Sequence, residues 1–154
     1  MQHLRLSLAL LVGCSAPSSG AWTFAVTQDE GDCPAGYSPA EEPTGDNQIE
    51  PDPDGTEVVY VDKDVDIKMH CPWSGADFAC SFDETDDTQH FSDQGLEAAY
   101  TVDALLDGHF DSDKDAHGVT TLTTTCGGTE CDLLAADGLP ACTIAWYWTA
   151  LFAE

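Results

Sequence analysis

The sequence predicts an all-β fold, an antiparallel meander of seven or eight strands stapled by disulfides. Three observations predict it. Apolar and polar residues alternate with a period of two in several separate runs. Those runs are punctuated by stretches rich in Gly, Pro and Asp, the residues that tight turns select. After the first dozen residues no segment carries a convincing helical period. Such a meander can close as an up-and-down barrel, which removes its exposed edges, or fold as a sandwich.

The first strand signal is Trp22, Phe24 and Val26 alternating with Thr23, Ala25 and Thr27. From Gln28 to Glu57 the alternation dissolves into a long acidic loop, residues 28–57, holding five of the eight prolines and ten acidic residues. Val59, Val61, Val65, Ile67 and Met69 then share one parity and Tyr60, Asp62, Asp64, Asp66, Lys68 and His70 the other. This reads as one long strand with the valine parity inward, or as two strands around a turn near Asp62–Asp64. A turn over Pro72–Asp77 leads into Phe78, Cys80 and Phe82, a hairpin partner.

A second long run sets Ala98, Tyr100, Val102, Ala104, Leu106, Gly108 and Phe110 against Thr101, Asp103, Asp107 and His109. It is one strand or two with a kink. Turn residues from Asp111 to Gly118 precede Val119–Cys126, dense in the β-branched threonine that fits a pleated surface. The last strand carries Ile144, Trp146, Trp148, Ala150 and Phe152 on one face. One domain, residues 22–154, accounts for all of these elements. Closed, it would be lipocalin-like in shape.

The charge balance limits the partners. The chain has 29 acidic residues against four basic ones, and one of the four, Arg5, lies in an N-terminal leader. A field of that sign repels phosphate backbones, which argues against nucleic acid; a cationic or protein partner is compatible with it. The acidity also serves solubility in a salty environment.

Residues 1–13 read as an export leader: a basic start, the apolar run Leu6–Val12 and the small Gly13. The run is too short to span a bilayer, so export ends in release or anchoring. Leu11-Val12-Gly13-Cys14 resembles the lipobox of bacterial lipoprotein precursors. The resemblance implies that the Cys14 sulfur takes a diacylglyceryl group and that cleavage before it makes Cys14 the new N-terminus. Residues 14–21 would be a short tether, and Ser15 in place of aspartate points to the outer membrane. The rival reading is an ordinary signal peptide cut after Ala21, which leaves a secreted protein.

Without Cys14 the chain has an even set of cysteines, Cys33, Cys71, Cys80, Cys126, Cys131 and Cys142, as expected in an oxidising compartment. Six cysteines allow 15 pairings. Local spacing favours Cys71 with Cys80 and Cys126 with Cys131. No Cys-x2-Cys pair occurs, so a zinc site is not expected.

Asp111, Asp113 and Asp115 imitate the start of a calcium loop, but Ala116 and Leu122 stand where an EF-hand needs glycine and glutamate. A looser oxygen-ligand site there, or one at Asp52 and Asp54, is the calcium alternative. His70, His90, His109 and His117 lack any Gly-x-Ser-x-Gly, His-Glu-x-x-His or catalytic-cysteine context, so neither an enzyme nor a cofactor is expected. The expected role is that of an exported, lipid-anchored envelope protein in structure or protein contact. The alternative is a small-ligand-binding barrel lined by Trp22, Phe82, Phe110, Trp146 and Trp148.

Overall fold

The computed structural model describes residues 16–62, 67–81, 88–92 and 95–153. Nine strands and one short helix follow in the order β1 (Gly20–Gly31), β2 (Gly45–Pro51), β3 (Glu57–Asp62), β4 (Ile67–Ser74), β5 (Asp77–Ser81), β6 (Thr88–His90), β7 (Ala98–Phe110), β8 (Asp115–Gly128), α1 (Cys131–Ala136) and β9 (Cys142–Phe152). Eight of the strands close an antiparallel up-and-down barrel, decided against the sandwich by the β5–β7 pairing that joins the two ends of the sheet. The ninth, β6, extends the sheet along the first residues of β7, while β5 pairs with the last ones.

The long run from Ala98 to Phe110 is one uninterrupted strand, paired with β8 over its whole length. Its inward residues Ala98, Tyr100, Leu106, Gly108 and Phe110 are buried, following the period-two rule of a sheet with one dry face. On β9, Cys142, Trp146, Trp148 and Ala150 are the buried residues.

Two glycines make room for the aromatic core. Phe78, Gly108, Gly118 and Trp148 stand opposite one another in successive strands. A Cβ on Gly108 would overlap the Phe78 ring, and one on Gly118 would overlap the Trp148 ring. Both rings therefore fold over bare backbone, and the interior fills with ring contacts: Phe78–Phe110 at 4.6 Å, Phe24–Trp148 at 4.9 Å and Trp22–Phe110 at 5.9 Å between centroids. A second apolar cluster of Phe91, Ala98, Tyr100 and Leu134 sits where α1 packs over the opposite barrel end.

Four expectations are corrected. The acidic stretch 28–57 is not loop throughout: β1 runs on to Gly31, and β2 lies inside it. Only Asn47 and Ile49 of β2 turn inward, so its sequence carries almost no alternation; pairing with β1 on one side and β3 on the other makes it a strand. The valine parity is also reversed in β3, where Val58 and Tyr60 are buried and Val59 and Val61 only half-buried. Asp62 pairs with Ile67, an odd sum, so the inward parity switches from even in β3 to odd Met69 and Cys71 in β4.

The turn before β8 is shorter than the expected Asp111–Gly118, because β8 already begins at Asp115. Finally, the barrel starts before Trp22. Gly20 opens β1, Pro17 is buried, the Ser18 amide donates to the Asp113 carbonyl (2.8 Å), and the Trp22 indole donates to the Ser18 carbonyl (2.9 Å).

Candidate functional site

Cys14, the leader 1–13 and Phe82 lie outside the described residues. The other six cysteines form three disulfides: Cys71–Cys80 across the β4–β5 hairpin, Cys126–Cys131 between β8 and α1, and Cys33–Cys142. The last spans 109 residues and joins the chain just past β1 to the start of β9. Around it the Asp32 amide donates to the Thr143 carbonyl (3.0 Å), and the Thr143 amide donates to the Asp32 carboxylate (2.7 Å).

Of the proposed ligand-lining residues, Trp22, Phe110 and Trp148 belong to the main core cluster. Trp146 is buried on the same inward face of β9, outside that cluster. The Trp148 indole donates to the Thr120 hydroxyl (3.1 Å). One interior polar group stands apart. Asn47 is 2% exposed, and its Nδ2 has no hydrogen-bond partner among the described residues.

The three aspartates of the β7–β8 turn do different things. Asp111 Oδ2 accepts from His117 Nδ1 (2.7 Å), Asp115 Oδ2 accepts from the Ser112 hydroxyl (2.7 Å), and Asp113 offers its carbonyl to Ser18. Among the described residues no group of three or more His, Cys, Asp or Glu side chains is arranged around a metal position. Asp52 is a turn residue: its Oδ1 accepts the amides of Thr56 (2.8 Å) and Glu57 (3.0 Å). Those bonds, the one from Glu57 first, hold its carboxyl below the usual carboxylate range.

Among the described residues three histidines are bonded to carboxylates on the outer surface: His70 to Glu57, His109 to Asp77 and His117 to Asp111. His109 and His117 are also direct cross-strand partners, with ring centroids 5.3 Å apart. The sequence places His109 on the polar face of its strand but does not pair it with His117. The signal that finds the pair is hairpin arithmetic: a turn centred on Asp113 sets 109 opposite 117.

Beside this pair, β4, β5 and β7 border a groove of about 380 Å³ lined by Trp73, Phe78, Asp77 and Asp107. Its lining is mainly apolar, and Trp73 also packs edge-on against Phe110 of the core.

At the opposite barrel end, Tyr100 donates its hydroxyl to the Pro140 carbonyl (3.0 Å) and so accepts from the Tyr37 hydroxyl (2.6 Å). Burial, followed by this bond and the charge interaction with Tyr100, pushes the Tyr37 hydroxyl up to about 12. No family model, no curated protein and no solved structure matches the chain significantly.

Proposed function

We propose that the chain is an exported envelope protein tethered by a lipid on Cys14, its barrel serving as a rigid body for structure or protein contact. The observation that carries this reading is the use of the cysteines. All six that follow Cys14 are joined in three disulfides, which suits an oxidising compartment and leaves Cys14 as the odd thiol. The rival cleavage after Ala21 would remove the buried Pro17 and Ser18, the acceptor of the Trp22 indole, and would cut β1 within its first residues. That loss favours cleavage upstream.

A barrel interior filled with rings suits a scaffold better than a carrier. The groove bordered by Trp73, Phe78, Asp77 and Asp107 would be a contact surface of this reading, and the 29 acidic residues against four basic ones favour a cationic partner protein.

Intact-mass and peptide mass spectrometry of the protein taken from its host's membranes tests the tether. The expected product begins at Cys14, carries the mass of a diacylglyceryl group and holds three disulfides. A fatty-acid-free product beginning at Trp22 refutes it.

A second reading, a small-ligand-binding barrel, is favoured by the orphan Asn47 amide inside the barrel. Native mass spectrometry of the same preparation decides for it if a stoichiometric non-covalent ligand is released on unfolding.

A further inference from the structure

We propose that His109 and His117 form a binding site for a divalent transition-metal ion of the zinc class on the outer face of β7 and β8. Direct strand pairing brings the two side chains to the same face, and both are substantially exposed, at 43% and 55%. A pair of imidazoles is a borderline-soft donor set that suits zinc, copper or nickel and is poorly matched to magnesium or calcium.

The carboxylate bonds fix which nitrogen is available. An ionised aspartate can only accept, so each Nδ1 donates: His109 to Asp77 at 2.6 Å, His117 to Asp111 at 2.7 Å. In the neutral ring the lone pair then lies on Nε2, the atom that ligates. Carboxylates that hold histidine rings in this way fix the tautomer and orient metal ligands.

The ring separation also fits. With Zn–N near 2.0–2.1 Å and about 1.1 Å more from nitrogen to ring centre, two imidazoles on one tetrahedral ion have centroids about 5.2 Å apart. The observed separation is 5.3 Å, with the rings tilted by 41°. Asp77 and Asp111 at the rings and Asp107 one outward position along β7 place negative charge around the site, and the fixed ladder of β7 and β8 keeps the pair in place without a ligand. Because no third His, Cys, Asp or Glu joins them among the described residues, water or a partner's donor completes the coordination.

The test is a zinc chloride titration of the full chain at near-physiological salt, with magnesium in excess to occupy carboxylates, followed by nitrogen-detected NMR of the histidine rings. At one equivalent the Nε2 resonances of His109 and His117 should move together. His109→Asn and His117→Asn should each weaken binding at least tenfold, and Asp77→Asn about tenfold through loss of ring orientation. His70→Asn should leave the affinity unchanged, with circular dichroism confirming that every variant is folded. Undiminished affinity in the double His109→Asn, His117→Asn variant, equal shifts at His70 or His90, or displacement of zinc by magnesium would each overturn the site.

Discussion

Replacing both partners of the Cys33–Cys142 disulfide by alanine separates two sources of its stabilising effect. The bond closes a loop of 109 residues' separation, against 9 for Cys71–Cys80 and 5 for Cys126–Cys131. If disulfides act by restricting the unfolded chain, these separations translate into about 5, about 2.7 and about 2.2 kcal/mol at 25 °C. The long bridge also lies beside the seam where the first strand, β1, meets the last, β9, flanked by the two Asp32–Thr143 hydrogen bonds. The assay is urea unfolding followed by tryptophan fluorescence. With a slope of about 2 kcal/mol per molar urea, the Cys33→Ala, Cys142→Ala variant should unfold about 2.5 M earlier than the parent. The Cys126→Ala, Cys131→Ala variant should shift by about half as much. Equal shifts in the two variants would refute the entropic account and assign the effect to native contacts at the seam.

Other perturbations address the core and the capped end. Gly108→Ala should cost about 2 kcal/mol in chemical unfolding, and the cost should fall by more than half in a Phe78→Leu background, because the added methyl and the Phe78 ring claim the same space. Additive losses would place the clash elsewhere. The Tyr37 hydroxyl is raised from 10.0 to about 12, so its share of stability is complete below pH 10 and is lost as pH rises toward 12. In that window the parent should lose stability relative to Tyr37→Phe, and the tyrosinate absorbance that the variant lacks should appear last. Asn47→Leu should leave the melting temperature unchanged or raise it, since the substitution removes a buried amide nitrogen without a partner among the described residues. A drop of several degrees would reveal a partner for that amide.

The barrel was legible where one strand face is dry and the other wet. From Ala98 to Phe110 the alternation is nearly unbroken, and the structure runs a single strand through it. It failed where pairing, not composition, makes the strand, as in β2 with Asn47 and Ile49 as its inward residues. In β3 the valines misled, because a sequence written as a line does not show that the Asp62–Ile67 pairing exchanges the faces. Tyr60, assigned outward, packs edge-on against Phe24. The His109–His117 pair was hidden for a related reason. Eight positions apart, the two residues become neighbours only once the turn is centred on Asp113, and the expected turn of Asp111–Gly118 had placed His117 off the strand. The Cys33–Cys142 bond spans a distance that no local spacing rule reaches.

The seating of Pro17 and Ser18 against the β7–β8 turn bears on how the molecule would stand on a membrane. Counting along the chain, only Ser15 and Ala16 separate Cys14 from Pro17, three residue steps that make a leash of at most about 11 Å when fully drawn out. A lipid on Cys14 would thus moor the barrel by its Asp113 end, with the Tyr37 and α1 cap held out on the far side. Upright posture would be imposed by shortness of rope, and the acidic turn would meet the headgroup layer first, where dissolved cations soften its repulsion.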